Sequence, residues 1–286
     1  MTEEKPRPKL KFQLAAFPER YSLPARPVGS AAVQDAHRQT NFLLPDDLIL
    51  FERAMNVQLQ VVAANAKGRT LQHAGLFTLW SRAYSALADS CVLVTQASYA
   101  SAAPLLRAAL DCIAVQRALI ASGYEPYEEW YAGAVTQVKE RLATAFDLGR
   151  YRSAEMLIGE ERLGPLYRLL TDLAMPHFGS SALLVAPDSN AQKLSAGFAD
   201  NAFHLGWAEL TMGWLLELAS AQVATALSTE ELKLSKTLRS DCEAAVRDVG
   251  VTLASKRRCY VEPLGDRFMF FNFRRTATGQ PRRIIL

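Results

Sequence analysis

Apolar residues recur three to four positions apart through most of this 286-residue chain, which is the spacing of amphipathic and buried helices. Pro45, followed by Asp46 and Asp47, suits a first helical turn, and Gly68 suits a stop. The pattern predicts a mainly α protein built as a six- to seven-helix bundle. The predicted helices cover residues 44–67, 70–97, 98–123, 126–149, 163–174, 199–227 and 229–255.

Both ends of the chain depart from the helical pattern. Residues 1–43 hold five prolines and little periodicity, which predicts an extended or disordered arm that contributes little to the core. Residues 256–286 are rich in aromatic and β-branched residues and contain two turn-like breaks, which predicts a small β meander. We therefore expect three regions: the arm (1–43), a helical bundle (44–255) and a β appendage (256–286).

Positive charge is concentrated in the appendage. The net charge is +3, yet residues 251–286 alone carry eight Lys or Arg against two acids. Arginines bind phosphates and aromatic faces stack on bases, so a nucleic-acid or protein partner is one hypothesis. The alternative is that the aromatic residues pack onto the bundle. The candidate binding residues are Arg257, Arg258, Arg267, Arg274, Arg275 and Phe271.

The cysteines and apolar segments bear on location. The four cysteines have no metal-binding spacing, which predicts buried thiols in a reducing compartment. Residues 202–227 are long enough to cross a bilayer but contain His204, Glu209 and Glu217, which favours a buried bundle helix. The first residues lack the apolar run of a signal peptide. We expect a cytoplasmic protein without membrane contact.

Catalytic signatures are missing from the sequence. It has no GxxxxGK, GxGxxG, HExxH or GxSxG motif and no Glu-x-x-His pair. We therefore predict no cofactor and no metal site.

Arg107 and Asp111 share one face of the apolar segment 98–123, where their neighbours are mostly alanines. Buried charges are tolerated when paired or used, so we expect both to be buried, either as a structural ion pair or as the lining of a site. A stripe of small and acidic residues in 199–227, which includes Glu209 and Glu217, offers a partner surface for Arg107. His177 lies in a break between helices, where it suits proton transfer or has no role.

The stretches YASAAPLLRAALD (99–111) and LYRLLTDLAMPH (166–177) resemble uncharacterised bacterial all-helical proteins distantly similar to the HEPN (higher eukaryotes and prokaryotes nucleotide-binding) group. Eight residues separate Arg168 from His177, more than the Arg-to-His spacing of HEPN ribonucleases. The resemblance implies a shared cleft in which Arg107 holds a phosphate beside Asp111 and His177 acts as general acid or base.

Two functions follow from these observations. The first is a non-catalytic intracellular assembly protein that binds itself or another protein and has a basic C-terminal interaction element. The alternative is a HEPN-like enzyme acting on RNA or nucleotides, for example in bacterial defence, with Arg107, Asp111 and His177 as its catalytic candidates.

Overall fold

A computed structural model describes residues 12–68, 70–137, 144–146, 156–157, 159–190 and 192–286. These residues form a mainly helical protein with a small C-terminal sheet, as predicted, but they contain nine helices instead of six or seven. The helices are α1 (Ala31–Leu43), α2 (Pro45–Asn65), α3 (Leu71–Thr95), α4 (Tyr99–Ala121), α5 (Glu125–Ala134), α6 (Leu163–Ala174), α7 (Phe178–Val185), α8 (Leu205–Leu227) and α9 (Lys236–Leu253). The strands are β1 (Val135–Gln137), β2 (Thr144–Phe146), β3 (Tyr260–Leu264), β4 (Arg267–Phe273) and β5 (Arg282–Ile285).

Helix α8 is the central element of the bundle. It packs against α2, α3, α4 and α9, and nearly all of its residues are buried. A helix that is apolar on every side needs such cover. Among the described helices, α8 alone is long and apolar enough to span a membrane, but most of it is buried within the protein, so this is weak evidence for a span.

Side-chain caps set where four of the described helices begin: α3, with Thr70 as its cap, and α1, α8 and α9. The hydroxyls of Ser30 and Ser235 and the Nδ1 atom of His204 each accept the backbone N–H three residues further on, at 3.3, 3.1 and 3.3 Å. A cap satisfies an N–H that has no partner inside the helix. The two predicted helices 199–227 and 229–255 therefore start later than expected, after His204 and Ser235.

The C-terminal meander is an antiparallel sheet in the order β3-β4-β5. Gly265, at a φ of +62°, makes the tight turn between β3 and β4. Phe268, Phe270 and Phe273 of β4 are at most 2% exposed and belong to the main core. Their rings contact α8, where Trp207 lies 6.1 Å from Phe270 and 5.6 Å from Phe273 between ring centroids. The appendage is thus part of the core.

The N-terminal region is more ordered than the extended arm we expected. Helix α1 forms within it because all five prolines precede Ser30, which caps the helix. Tyr21 is buried, and its backbone N–H and C=O bond with the Asn56 side chain at 2.9 and 3.1 Å. Its ring also meets Phe51 edge-on. The expectation that this region contributes little to the core is wrong for Tyr21.

Two further segments differ from prediction. The helix expected at 126–149 ends at Ala134, and β1 then pairs with β2, because Val135 and Thr136 are β-branched and favour strands. Positions 138–143 and 147–149 of that prediction lie outside the described residues. Residues 178–185, expected as a loop, form the short helix α7.

Candidate functional site

Arg107 connects α4 to α6. Its Nε donates a hydrogen bond to Thr171 Oγ1 at 2.7 Å, and its guanidinium carbon lies 3.6 Å from the centre of the Tyr167 ring. It also forms an ion pair with Asp111, one turn along α4. These contacts use the guanidinium to join two helices, which is a structural role.

The pair is less buried than predicted. The side chain of Arg107 is 17% exposed and that of Asp111 is 39% exposed. Ala100 and Pro104, which lie on the same side of α4, are exposed, so Asp111 lies at the edge of the covered surface. The prediction that both residues are largely buried holds for Arg107 and fails for Asp111.

His177 lies apart from this pair. It is exposed and precedes α7, beyond the end of α6 at Ala174, and its side chain does not cap α7. Among the described residues, no hydrogen bond or ion pair joins its ring to Arg107, and none of the three residues lines the cavity between α6, α8 and β3 or the one where α4 meets α8. The structure brings Arg107 and Asp111 together without placing His177 in a shared cleft.

Two of the candidate binding arginines are held inside the protein. Arg258 donates to both carboxylate oxygens of Asp47 on α2, at 3.2 and 2.7 Å, and to the backbone carbonyl of Glu209 at 2.8 Å. Arg274 lies 3.4 Å from the Glu209 carboxylate and donates to the Asn272 carbonyl at 3.3 Å. Their side chains are only 11% and 16% exposed. These two arginines fasten the sheet to α2 and α8, which makes them poor contacts for a partner.

The remaining candidates lie nearer the surface. Arg257 and Arg267 are exposed, and Arg275 is half-exposed and forms an ion pair with Asp188. Phe271 is half-buried and stacks on Tyr260 with ring centroids 4.9 Å apart. The groups available to a phosphate are therefore fewer than the six that the sequence suggested.

A cavity of about 290 Å³ lies between α6, α8 and β3, and two carboxylates of the predicted stripe line it. Burial raises the pKa of both Glu209 and Glu217, although nearby arginines oppose the rise. Glu209 accepts the Cys259 N–H at 2.7 Å, and Glu217 pairs with Arg162. The expected pairing of these acids with Arg107 is wrong, because arginines of the sheet and of the segment before α6 neutralise them instead.

Exposed apolar residues on and beside α7 form what we call the α7 surface. Phe178 and Phe198 are about fully exposed, at 98% and 102%, and Val185 is 46% exposed. Phe178 and Val185 are seven residues apart and share a face of α7. The Gly197 N–H donates to the Val185 carbonyl at 2.8 Å, which holds Phe198 near the end of that helix. Met175 and Leu194, also exposed, extend the α7 surface along the chain.

The sequence reading missed the α7 surface. The apolar run SALLV lies in a segment that the sequence predicts as a loop, and nothing in the pattern shows which apolar residues lack cover. The available signal was the presence of large apolar residues in a segment assigned to solvent.

Comparison with known proteins adds no family: no protein-family model, no curated protein and no solved structure matches this chain. The resemblance to the HEPN group stays a prediction from the sequence.

Proposed function

We propose that this chain is a non-catalytic intracellular helical protein that assembles with a second copy of itself through the α7 surface. The observation that carries the proposal is the full exposure of two phenylalanine rings, Phe178 and Phe198, beside a helix whose outer face is also apolar. The four cysteines, all free and buried, fit a reducing compartment.

The size of the α7 surface suits a dimer. A phenylalanine buries about 150–250 Å² when covered, so the two rings alone offer about 400 Å². A standard interface buries about 800 Å² on each partner, of which a little over half is apolar. Val185, Met175 and Leu194 add to the area of the rings. The exposed apolar area is thus close to what a stable interface requires.

A second copy is the occupant that the chemistry favours. In a two-fold dimer the same patch meets itself, so it must be self-complementary, and an apolar patch satisfies this condition. Asp188, just after α7, is already paired with Arg275, so that closing the interface does not leave this carboxylate without a counter-ion. We prefer this function to a HEPN-like enzyme because Arg107 is engaged by Thr171 and Tyr167.

In this proposal only the exposed arginines of the basic C-terminal element take part in an interaction. Its inner arginines secure the sheet, and Arg257 and Arg267 are left as exposed charges at the surface. These two supply the interaction element that the sequence suggested.

Sedimentation velocity tests the proposal. We expect the wild-type chain to form dimers at tens of micromolar and the double variant Phe178→Ser, Phe198→Ser to be monomeric with unchanged helicity. Phe42→Ser is the matched control, because Phe42 is 81% exposed on α1, outside the α7 surface. A monomeric wild type, or a double variant that dimerises as well as the control, contradicts the proposal.

A further inference from the structure

The C-terminal sheet has one side against the bundle and another side toward solvent. Phe268 and Phe270 of β4 are buried on α8, and side chains alternate along a strand, so their neighbours on β4 point the opposite way. The register of the three strands defines this second side, which we call the outer face and which includes Tyr260, Arg267, Met269, Phe271, Arg283 and Ile285. These side chains are exposed or half-buried, so a partner can reach them.

Two aromatic rings on the outer face stack on each other. Tyr260 and Phe271 are directly opposite on neighbouring strands, and their rings have centroids 4.9 Å apart and planes 11° apart. Lys256 Nζ lies 3.9 Å from the centre of the Tyr260 ring, and the guanidinium carbon of Arg283 lies 5.5 Å from the centre of the Phe271 ring. Both cations are exposed. A flat ligand can therefore take the place of Arg283 on Phe271 and continue the stack.

Positive charge on the outer face is available to a partner. Arg267 and Arg283 are exposed, and neither forms an ion pair with an acid in the described part of the chain. Lys256 pairs with Glu262 at 2.8 Å, but the two side chains are 66% and 49% exposed, so water screens this pair and a phosphate can displace the carboxylate. Asp266 lies in the turn before β4, and the three cations outnumber these two acids.

Stacked rings beside available arginines are the combination that binds single-stranded nucleic acid. An aromatic ring accepts a base of any sequence by stacking, and arginines bind the phosphates on either side of it. Neighbouring pairs cover the base faces in a duplex, so stacking on a protein ring requires an unpaired strand. An acidic protein segment would also satisfy the arginines, but it would not need the ring of Phe271.

We propose that the outer face binds single-stranded nucleic acid, with a base stacked on Phe271 and phosphates held by Arg267 and Arg283. Arg267 lies four residues from Phe271 on β4, about 13 Å away, so the two arginines contact different phosphates. The inference rests on the exposed interaction element of the proposed function and not on the dimer. Leu286 faces inward and packs beside Gly179 of α7, so α7 is on the inner side of the sheet.

Fluorescence anisotropy of a labelled RNA of about 12 nucleotides, titrated with the full chain, tests the proposal. We expect binding that weakens as salt rises, because bound phosphates release counter-ions. The double variant Arg267→Gln, Arg283→Gln should reduce the slope of log K against log salt by about 1.4, for two lost phosphate contacts. Phe271→Leu keeps an apolar side chain but removes the stacking surface, so it should weaken binding about tenfold and leave the slope unchanged.

Matched controls change the same residue types away from the sheet. The double variant Arg20→Gln, Arg38→Gln removes two arginines whose side chains are 75% and 76% exposed, and Phe42→Leu removes an exposed ring on α1. Both should bind RNA within about twofold of the wild type, since salt screens distant charges. The double variant Phe178→Ser, Phe198→Ser should also bind RNA as the wild type does, so that failure of the dimer and failure of this site give different results.

Three results with RNA overturn the proposal. They are no binding at about 100 μM protein, preference for the duplex formed with the complementary strand, and equal weakening in the outer-face and control variants. Tighter binding of a labelled polyglutamate peptide than of the RNA would also overturn it, in favour of an acidic protein partner.

Discussion

The β4 strand and the α7 surface are both rich in phenylalanine, and the fold treats them in opposite ways. Phe268, Phe270 and Phe273 are at most 2% exposed, whereas Phe178 and Phe198 are about fully exposed. The difference lies in what is next to each segment. Strand β4 lies against α8, which has its own aromatic residue, Trp207, turned toward it. The described part of this chain provides no such cover for α7, and this difference is the basis for our proposal that a second copy covers it.

The largest expected effect is the loss of stability when a buried phenylalanine of β4 is truncated. Phe270→Ala should lower the free energy of unfolding by about 4 kcal/mol, because it opens a cavity beneath α8. Phe178→Ala should change that of the dilute monomer by less than about 0.5 kcal/mol. Urea denaturation at sub-micromolar concentration measures both. Similar losses in the two variants would show that α7 is packed like β4.

The adjacent arginines Arg257 and Arg258 give a second comparison between an exposed and a buried side chain. Arg258→Ala should cost about 3 kcal/mol of unfolding free energy, because it leaves Asp47 buried without its partner. Arg257→Ala, at an exposed position, should change stability by less than about 0.5 kcal/mol. Denaturant melts of the two single variants give the result. Equal effects would mean that the sheet is not fastened to α2.

The buried histidine beneath the sheet, His204, should make the free energy of unfolding depend on pH. His204 packs against Phe273, with ring centroids 4.6 Å apart, and burial lowers its pKa to about 4. The unfolded chain binds a proton at this histidine near pH 6.5, whereas the folded chain does not. The free energy of unfolding therefore falls as the pH drops from 6.5 toward 4, by up to about 3 kcal/mol.

His204→Asn isolates this contribution. The pKa values of Glu209 and Glu217 are raised by burial, so these acids favour the folded state as the pH falls and act in the opposite sense. Both acids remain in the variant. Melts from pH 7 to 4 should therefore show a shallower loss of stability in His204→Asn than in the wild type, and parallel curves would rule out the buried neutral histidine.

The smallest effect is expected where α4 meets α6. Asp111 is 39% exposed, so Asp111→Ala should lower the free energy of unfolding by about 1 kcal/mol or less. Arg107→Ala should cost more, because it also removes the Thr171 hydrogen bond and the Tyr167 contact. A thermal melt of each variant decides the order. A loss of about 3 kcal/mol in Asp111→Ala would show that the pair is fully buried, as the sequence predicts.

Sequence periodicity was sufficient for the long helices and the terminal meander, because apolar spacing reports which residues must be covered. It did not place α1, whose signal is a capping serine after the last proline, nor the strand that begins at Val135. Local pattern also cannot assign partners between distant segments. Arg258 pairs with Asp47 across 211 positions and Glu209 with Arg274 across 65, so the prediction that Arg107 is the counter-ion of Glu209 is wrong.

The site predictions also succeed within one helix and fail between distant segments. Arg107 and Asp111 are one helical turn apart, so their pairing follows from spacing alone. A cleft that includes His177 depends on how α6 ends and α7 begins, and the extended backbone at Met175 directs the chain away from the helix before His177. His204 Nε2 and Trp207 Nε1 are buried without a hydrogen-bond partner among the described residues, and this depends on packing, which spacing does not reveal.

Hydrogen–deuterium exchange of the full chain at two concentrations, below one micromolar and at tens of micromolar, tests the central claim most directly. Amides of β4 should be protected at both concentrations, because the protein itself covers them. Amides of α7 should exchange quickly in the dilute sample and become protected in the concentrated one, as a second copy covers the α7 surface. Exchange in α7 that is the same at both concentrations would contradict the account.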